Sequence, residues 1–229
     1  IVAFVKTHFE PGKLIGKTVL ITAGPTREAI DPVRYISNKS SGKMGYALAW
    51  AASQAGASVT LISGPVCLAV PEQVTRIDVS SATEMRAAVI KNVNQADIFI
   101  ACAAVADYRV ANVSDQKIKK TAKTMQLNLS RNPDIVSEVT HLDNKPFTIG
   151  FAAETESLAE HAQAKLERKN LDMIAANLVG DDRGFDKEYN ELLVLWSGGE
   201  KKLALASKDD IARQLIDLIV NCYIFKNKT

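Results

Sequence analysis

Two apolar runs decide the fold: Thr18-Val-Leu-Ile-Thr22 and Ser58-Val-Thr-Leu-Ile62, with an alanine-rich segment at residues 43–55 between them. Both runs are rich in Val and Ile, which favours strands, whereas the longer segment has the apolar spacing of a helix. Gly56 follows this segment and is suited to end a helix. A strand, a helix and a second strand in this order predict a βαβ unit, and therefore two parallel strands of one sheet.

The same alternation continues along the chain and predicts the α/β class, with a mostly parallel sheet flanked by helices. Further strands are predicted at residues 74–79, 97–102, 147–151 and 172–175, and a hairpin at residues 191–196 and 201–206. Further helices are predicted at residues 83–93, 157–169 and 208–222, and another that opens with Asn132-Pro133 and runs to His141. Residues 107–130 interrupt this rhythm with a lysine-bearing loop that we expect to be flexible. Within it, alternation at residues 125–129 predicts a half-exposed strand in a small excursion from the main sheet.

The composition excludes several classes of protein. The 229 residues are 47% hydrophobic, enough for a substantial core, and the formal charge of +2 provides no global field of the kind that marks a dedicated nucleic-acid binder. Cys67, Cys102 and Cys222 are odd in number and far apart, which argues against a disulfide framework or a zinc site and favours a reducing, cytoplasmic compartment. No apolar run reaches the roughly 18 residues of a membrane helix, and no signal-peptide pattern opens the chain. Residues 1–15 are predicted to be a linker remnant, and residues 16–229 one domain.

Small or polar residues end four of the predicted strands. The four strand ends lie at residues 22–24, 101–104, 150–154 and 175–177. Ligands of open α/β sheets bind beyond the carboxyl ends of the strands, where small residues allow close approach to the backbone. One such end would be explained by a tight strand-to-helix turn, but four together predict a shared crevice.

A long loop at residues 22–45 is the second indication of a ligand site. Loops of this length are unusual in compact α/β units and are usually functional. This loop passes through Gly24 and ends with Ser40, Ser41, Gly42 and Lys43 at a predicted helix N-terminus, where free N–H groups and the helix dipole favour an anion. A phosphate site is predicted there, and capping of the helix by Ser40 or Ser41 is a compatible alternative.

Two familiar nucleotide motifs are absent from the sequence. Gly42-Lys43 is followed by Met44 and lacks the first glycine of a P-loop, and Gly16-Lys17-Thr18 precedes a strand instead of following one. No Gly-x-Gly-x-x-Gly follows the first strand, so the fingerprint of a nicotinamide-cofactor site is missing.

A second group of charged residues follows the predicted strand at 97–102. Asp107 stands just past that strand, where a carboxylate can bind ribose hydroxyls or a metal ion. Lys117 opens a lysine-rich stretch that can close over a polyphosphate, although a solvated charge run is the ordinary explanation for such lysines. Lys165 and Lys169 lie four residues apart on one predicted helix face, and also have an ordinary solvent-facing interpretation.

Five motifs together resemble bacterial phosphopantothenoylcysteine synthetase. They are the loop Ile21-Thr-Ala-Gly-Pro-Thr-Arg-Glu28 with Ser37-Asn-Lys-Ser-Ser-Gly-Lys-Met-Gly45, then Ala104-Val-Ala-Asp-Tyr108, Lys117-Ile-Lys-Lys120, Asn132-Pro-Asp-Ile135 and Gly150-Phe-Ala-Ala-Glu-Thr155. They occur in order from about Gly16 to the C-terminus. The resemblance implies a Rossmann-like sheet, a homodimer formed through the excursion, and in many bacteria fusion to a flavin-dependent decarboxylase.

The resemblance also implies a two-step ligation with Mg²⁺ and CTP as co-substrate. The carboxylate of 4'-phosphopantothenate attacks the α-phosphate of CTP, and the amine of L-cysteine then displaces CMP from the acyl-cytidylate. Lys117 matches the catalytic lysine of the family, and Asn38 matches the asparagine that carries the intermediate forward. The CTP pocket implied by the matching positions consists of Ala101, Cys102, Ala103, Asp107, Lys117, Asn132, Pro133, Asp134, Ile135, Phe151, Lys165 and Lys169. Residues Gly24, Ser40, Ser41, Gly42 and Lys43 would form the phosphopantothenate or phosphate loop, and the sequence names no metal ligands.

Two other functions remain compatible with the pattern of elements. An NAD(P)-dependent reductase fits the α/β alternation but lacks the glycine fingerprint, and a regulatory module would bind CTP without releasing pyrophosphate. Cys102 lies within the implied pocket, and we interpret it as a small strand-end residue, not a nucleophile, because no histidine is near it in sequence.

Overall fold

The computed structural model describes residues 12–120, 123–154, 156–178 and 187–226. The main-sheet strands are β1 (Thr18–Ala23), β4 (Ser58–Ser63), β5 (Val74–Asp78), β6 (Ile98–Ala101), β9 (Phe147–Glu154), β10 (Met173–Leu178), β11 (Tyr189–Trp196) and β12 (Gly199–Ser207). Two small sheets contain β2 (Arg27–Ala29) with β3 (Tyr35–Ser37), and β7 (Tyr108–Val110) with β8 (Leu129–Arg131). The helices are α1 (Lys43–Gln54), α2 (Ala82–Val93), α3 (Ile135–Thr140), α4 (Leu158–Arg168) and α5 (Lys208–Lys226).

The main sheet has the strand order β12-β11-β10-β9-β6-β1-β4-β5. From β5 to β10 every neighbouring pair is parallel, whereas β11 pairs antiparallel with β10, and β12 pairs antiparallel with β11. Numbered by their appearance in the chain, the six parallel strands follow the order 3-2-1-4-5-6 of a Rossmann sheet, whose direction of growth switches between β1 and β6. The predicted α/β class with a mostly parallel sheet is confirmed.

The helices cover both faces of the main sheet. Alternate residues of β1 point to opposite faces, so Val19 and Ile21 join the core beneath α1 and α5, whereas Leu20 packs with α2 and α3. A third cluster lies under α4, where Ala162 and Leu166 are buried against strand residues such as Ile174. The core therefore forms two layers around a sheet that is buried on both sides, as parallel sheets require. None of the helices in the described ranges is long and apolar enough to cross a membrane.

The two small sheets form the excursion beyond the carboxyl edge of the main sheet. The β2–β3 hairpin belongs to the long loop after β1, and it packs against β7 of the β7–β8 pair. The strand predicted at residues 125–129 is wrong in position, because only its last residue, Leu129, pairs, opposite Val110. Since β7 is only three residues long, the regular pairing ends there, and the N–H of Ala111 just after it donates to the carbonyl of Asn128 at 2.9 Å.

The predicted start of the helix at Asn132-Pro133 is also wrong. The helix begins at Ile135 and ends at Thr140, and the side chain of Asp134 caps it by accepting the N–H of Ser137 at 3.1 Å. An aspartate N-cap satisfies one of the free N–H groups at the helix start, so it outcompetes the preference for proline in the first turn.

The expected boundary between linker and domain at residues 15 and 16 lies too late in the chain. Leu14 is only 1% exposed within the main core, and its N–H donates to the carbonyl of Ala55 at 2.8 Å. Lys13 forms an ion pair with Asp217 of α5. The packed domain therefore includes residues 12–15, and the remainder of the expected linker, residues 1–11, lies outside the described residues.

Candidate active site

Two adjoining cavities lie at the carboxyl ends of the central strands. The first, here the α1 cavity, has a volume of about 220 Å³ and lies between the N-terminus of α1, the ends of β6, β9 and β10, and the starts of β11 and α5. The second, here the α4 cavity, has a volume of about 180 Å³ and lies beside α3 and α4. Ala103, Val105 and Phe151 line both cavities. Together they form one cleft at the switch point of the sheet, where open α/β sheets bind ligands.

Most of the residues predicted for the site line this cleft. The predicted residues that line the α1 cavity are Ser40, Ser41, Gly42, Lys43, Cys102, Ala103 and Phe151. Those that line the α4 cavity are Ala101, Ala103, Asp107, Asn132, Pro133, Asp134, Ile135, Phe151, Lys165 and Lys169.

The N-terminus of α1 is open to an anion. The N-cap is Gly42, with a φ of 79°, and it provides no side-chain hydrogen bond to the first turn of the helix. Ser40 Oγ accepts the N–H of Gly42 at 3.3 Å, and the N-cap of the helix is Gly42, so the alternative that a serine caps the helix is wrong. The first turn also contains no acidic residue. The N–H groups of this turn and the helix dipole thus face the cavity without a protein carboxylate in the turn to neutralise them.

Glycines set how closely α1 approaches the first strand. A Cβ atom on Gly45 would lie 2.5 Å from Cβ of Ala23, and one on Gly42 would lie 2.9 Å from Cγ1 of Val66. Gly24 has a φ of 76°, which turns the chain sharply after β1. Any larger residue at Gly45 would push the helix N-terminus away from the strand ends, so the anion site depends on this close packing.

The long loop is held against the end of β6. Pro25 forms a parallel bridge with Ala104, and Thr26 Oγ1 accepts the N–H of Ala106 at 2.9 Å. Asn38 Nδ2 donates to the carbonyl of Ala104 at 2.9 Å. Because Ala104 lines the α1 cavity, this bond holds Asn38 at the rim of the cleft.

Charged side chains of α3 and α4 meet in the α4 cavity. Lys169 Nζ lies 3.0 Å from Oδ2 of Asp134. Burial acts to raise the pKa of Asp134, but the N–H of Ser137 and the ammonium of Lys169 outweigh it, and the pKa lies below its usual range. Lys165 donates to the carbonyl of Phe151 at 3.3 Å, and burial, helped by the charge of Lys169, lowers its pKa. The cavity therefore contains Lys169, which is paired with Asp134, and Lys165, which is desolvated.

Asn132 organises the floor of the same cavity with its side chain. Its Nδ2 donates to the carbonyl of Ala106 at 2.8 Å, and its Oδ1 accepts from Arg109 at 3.0 Å. Its backbone N–H donates to the carbonyl of Asp107 at 2.8 Å. These bonds fix the turn that carries Asp107, so the amide of Asn132 shapes the pocket wall.

Cys102 has the chemistry of a structural residue. Burial raises the pKa of its thiol to about 12, despite the opposing charge of Lys208. A thiol with this pKa stays protonated at neutral pH and is a poor nucleophile. The geometry thus agrees with the interpretation of Cys102 as a strand-end residue.

Lys117 lies outside both cavities. It lines a separate lysine-rich cavity with Lys119, Lys120 and Lys123. The neighbouring Ile118 is held through its backbone: its N–H donates to Asp31 at 3.1 Å, and its carbonyl accepts from Arg34 at 3.0 Å. Within the described residues, the structure does not bring Lys117 together with the other predicted site residues.

Two polar residues of the α1 cavity were missed by the sequence reasoning. Asn190 at the start of β11 and Lys208 at the start of α5 are each 8% exposed and line the cavity. Asn177, noted only as part of a strand end, also lines it and lies 3.5 Å from Asn190. The one faint signal in the sequence was a lysine at the first position of a helix, where the dipole disfavours positive charge.

The described residues contain no group of three or more His, Cys, Asp or Glu side chains placed to hold a metal ion. The described carboxylates that line the cleft are Asp107 and Asp134, and Asp134 is paired with Lys169. A Rossmann-ordered sheet with an open helix N-terminus and lysines at its switch point defines the class as a doubly wound α/β protein, and this arrangement is suited to a phosphorylated ligand.

Comparisons with known proteins identify the family within this class. Residues 14–223 match the family described as the DNA/pantothenate metabolism flavoprotein C-terminal domain, and the chain belongs to this family. It is 55% identical over 223 residues to the coenzyme A biosynthesis bifunctional protein CoaBC of Vibrio cholerae, which covers 96% of this chain and 56% of that protein. The Escherichia coli protein of the same name is 50% identical over 234 residues, covering 100% of this chain and 58% of that protein. The chain thus spans about half the length of the curated relatives it matches.

Solved structures agree with this assignment. The C-terminal domain of a CoaBC protein superposes with a TM-score of 0.80 at 40% identity, covering 95% of this chain and all of that one. A Cab2 variant in complex with phosphopantothenate-cysteine shares the fold, with a TM-score of 0.75 at 17% identity over 93% of this chain and 89% of that one. The resemblance carried by the five sequence motifs is confirmed.

Proposed function

We propose that this domain is a phosphopantothenate–cysteine ligase that acts in coenzyme A biosynthesis. The observation that carries the proposal is the pair of adjoining cavities at the switch point, one with an open helix N-terminus and the other walled by small strand ends. Membership of the family and the names of the CoaBC relatives support a role in coenzyme A biosynthesis, and the resemblance of the five motifs suggests the ligase reaction.

We propose CTP as the activating nucleotide, with its base and ribose in the α4 cavity and its phosphates extending into the α1 cavity. Backbone groups beside Ala101 and Ala103 can read the edge of a pyrimidine, and Phe151 provides an apolar wall. Asp107 is placed at the cavity wall to accept a ribose hydroxyl. Phe151 lines both cavities, so the nucleotide would cross from one to the other over this residue.

The reaction would proceed in two steps in this cleft. The carboxylate of 4'-phosphopantothenate attacks the α-phosphorus of CTP, the bond to the bridging oxygen breaks, and pyrophosphate leaves with the electron pair. The amine of L-cysteine then attacks the acyl carbon, loses a proton and displaces CMP. Asn38 at the cleft rim would hold the acyl phosphate with a neutral amide. Lys117, which lines a separate cavity here, would offset negative charge in the first step after its lysine-rich stretch closes over the triphosphate.

Magnesium fits this site as a companion of the nucleotide. Mg²⁺ is commonly bound by substrate phosphates with few protein carboxylates, which suits a cleft whose described lining contains two carboxylates, one of them paired with lysine. When bound, it neutralises phosphate charge during the displacement. Asp107 is the carboxylate of the α4 cavity placed to contribute.

We also propose that the domain forms a homodimer and works with a flavin-dependent decarboxylase. Exposed apolar side chains are concentrated on the excursion: Val33, Tyr35, Tyr108, Val113, Met125 and Leu129. A concentration of apolar surface of this kind favours a protein interface. The names of the relatives describe bifunctional proteins, of which this chain matches about half.

The test is pyrophosphate release with 4'-phosphopantothenate and Mg²⁺, with either CTP or ATP, and with or without cysteine. We expect CTP-dependent release, and we expect Asn38→Asp to accumulate the acyl-cytidylate because it removes the neutral amide that would position the incoming amine for the second step. A folded protein that binds CTP but releases no pyrophosphate would instead be a regulatory module.

A further inference from the structure

We propose that Asp31 is a positioning residue that fixes Lys117 relative to Asn38. This inference rests on the proposed function, which gives Lys117 and Asn38 their roles in the two steps of the ligation. Asp31 lies in the turn between β2 and β3, and it binds both that turn and the backbone of Ile118, the residue after Lys117. One carboxylate therefore joins the two segments that carry the predicted catalytic residues.

One oxygen of Asp31 organises the turn between β2 and β3. Oδ1 accepts the N–H groups of Val33 and Arg34, each at 2.9 Å. The N–H of Ile30 donates to the carbonyl of Arg34 at 2.8 Å and closes the turn. Aspartate commonly forms such side-chain bonds in turns. The turn uses one oxygen of the carboxylate, so it does not explain what the second oxygen does.

The second oxygen binds a segment that is 87 residues away in the sequence. Oδ2 accepts the N–H of Ile118 and the Nε–H of Arg34, each at 3.1 Å. Nη2 of Arg34 also donates to the carbonyl of Ile118 at 3.0 Å. The ion pair of Asp31 and Arg34 thus binds both backbone polar groups of Ile118, and the turn itself requires neither bond.

Asp31 is suited to hold this segment because it is both buried and charged. It is 3% exposed, and side-chain hydrogen bonds from Arg34 outweigh burial and hold its pKa well below the usual range. The carboxylate is therefore ionised at neutral pH, and a charged acceptor forms stronger hydrogen bonds than a neutral one. Residues 115–117 and 119–120, by contrast, are exposed. The bonds at Ile118 therefore set the position from which the side chain of Lys117 extends.

The hairpin connects this fixed point to the cleft. β3 has three residues, which span roughly 10 Å, and it ends at Ser37, whose Oγ donates to the carbonyl of Thr26 at 2.8 Å. Asn38 follows directly and is bound to Ala104 at the rim of the α1 cavity. Lys117 and Asn38 are thereby attached to opposite ends of one small hairpin. The lysine-rich stretch closes over the triphosphate from a defined point, which lowers the entropy lost in reaching the transition state.

The experiment is a double-mutant cycle on CTP-dependent pyrophosphate release, with Asp31→Asn, Lys117→Gln and the double variant. Asparagine keeps one carbonyl oxygen for the turn and replaces the oxygen that accepts from Ile118 with an amide donor. We expect Asp31→Asn to lower kcat about 10- to 100-fold, as misplacement of a catalytic group does, with the Kd of CTP unchanged. In the Lys117→Gln background the same change should lower kcat by no more than about twofold, because both substitutions then act through one group.

Two further variants complete the test. Asp115→Asn is the matched control, since Asp115 is an exposed aspartate on the same segment as Lys117, and it should leave kcat unchanged. Ile118→Pro removes the N–H that is donated to Asp31 but leaves the β2–β3 turn intact, so it should lower kcat in the same range as Asp31→Asn. The proline variant decides the question if Asp31→Asn does not fold, and full activity of that variant would then overturn the proposal.

Equal losses of kcat in both backgrounds would indicate a purely structural role and overturn the positioning role of Asp31. An unchanged kcat for Asp31→Asn, or weaker CTP binding at unchanged kcat, would overturn it as well. Each of these results would leave the ligase proposal intact, because the wild-type chain would still release pyrophosphate. If the wild-type chain released none with CTP, the proposed function itself would fail, and the positioning role with it.

Discussion

The two ends of the parallel sheet use charged side chains in different ways. At the amino ends, Asp97 precedes β6 and accepts the N–H of Thr18 in β1 at 2.9 Å, and Asp172 precedes β10 and accepts the N–H of Thr148 in β9 at 2.8 Å. Each aspartate thus joins its own strand to the next strand of the sheet. The same arrangement occurs twice, so it is a structural device.

At the amino ends of the strands, these two aspartates also bind side chains from the segment before β1 and from α5. Lys17 Nζ and the hydroxyl of Tyr223 each donate to Asp97 at 3.0 Å, and Lys226 pairs with Asp172. At the carboxyl ends, Lys43 pairs with Glu188 and Lys169 pairs with Asp134, but these lysines also line cavities, Lys43 with Lys208 in the α1 cavity and Lys169 with Lys165 in the α4 cavity. The difference teaches that charge at the amino ends is used for stability, and that charge at the carboxyl ends is arranged around space for a ligand.

The largest expected effect separates activity from stability. Lys117→Gln should lower the kcat for CTP-dependent pyrophosphate release by about 10²- to 10³-fold, because it removes a charge that stabilises the transition state. Its melting temperature should match that of the wild type, since Lys117 has no assigned role in the core. Lys123→Gln, in the same lysine-rich cavity, is the control and should retain activity. Full activity of Lys117→Gln would remove this cavity from the chemistry.

A second comparison uses one lysine from each end of the sheet. Burial lowers the pKa of both Lys165 and Lys145, and each donates to a backbone carbonyl, of Phe151 and of Asn170 respectively. Lys165→Met should raise the Kd of CTP about tenfold through the loss of a charged contact, whereas Lys145→Met should leave it unchanged. Titration calorimetry measures both. Equal effects would contradict the division of roles between the two ends.

The amino end should show the opposite behaviour. Asp97→Asn replaces a carboxylate that accepts hydrogen bonds from Thr18, Lys17 and Tyr223 with a neutral amide. We expect a loss of about 1–3 kcal/mol in the free energy of unfolding, or roughly 3–10 °C in Tm, with unchanged CTP affinity. Asp107→Asn at the carboxyl end is the matched variant, and it should weaken CTP binding at nearly constant Tm. Thermal melts measure the Tm of both variants, and calorimetry measures their affinity for CTP.

The smallest expected effect is a pH dependence of the Asp97 contribution. Burial acts to raise the pKa of Asp97, but hydrogen bonds from Thr18 and Lys17 hold it below its usual value. A lowered folded-state pKa gives stability that is present above the unfolded pKa of about 4 and is lost as the pH falls through the folded value. The difference in unfolding free energy between wild type and Asp97→Asn should therefore shrink between pH 7 and pH 3 in urea titrations. A constant difference would argue against a charge effect.

The architecture could be predicted from the sequence because its signals are local. Runs such as Thr18–Ala23 are rich in β-branched residues, and Gly56, with a φ of 90°, ends the region of α1 as expected. The short strand β8 could not be placed, since its position depends on which residues face the three-residue β7. Likewise, the cap of α3 depends on Asp134 reaching Ser137, which competes with the proline signal beside it.

The candidate site was predictable only where it follows strand ends. Parallel strands that are neighbours in the sheet bring Ala101, Gly150 and Asn177 to one edge, so their gathering follows from topology. Asn190 and Lys208 reach the cleft only because β11 and β12 turn back antiparallel beside β10. The hairpin was predicted, but its antiparallel pairing with β10 was not, and a lysine at the first position of a helix is only a faint signal that Lys208 lines a cavity. The position of Lys117 likewise depends on long-range hydrogen bonds of the neighbouring Ile118, whose N–H donates to Asp31 and whose carbonyl accepts from Arg34.

Helix α5 connects the two ends of the sheet across a fixed distance. Its 19 residues span about 28 Å, with Lys208 at the cavity and Tyr223 and Lys226 at the opposite edge. Inserting or deleting one residue would rotate one end against the other by about 100°, so Lys208 and Tyr223 could not both keep their places. Within this family, the length of the helix should therefore vary far less during evolution than the identities of its exposed residues.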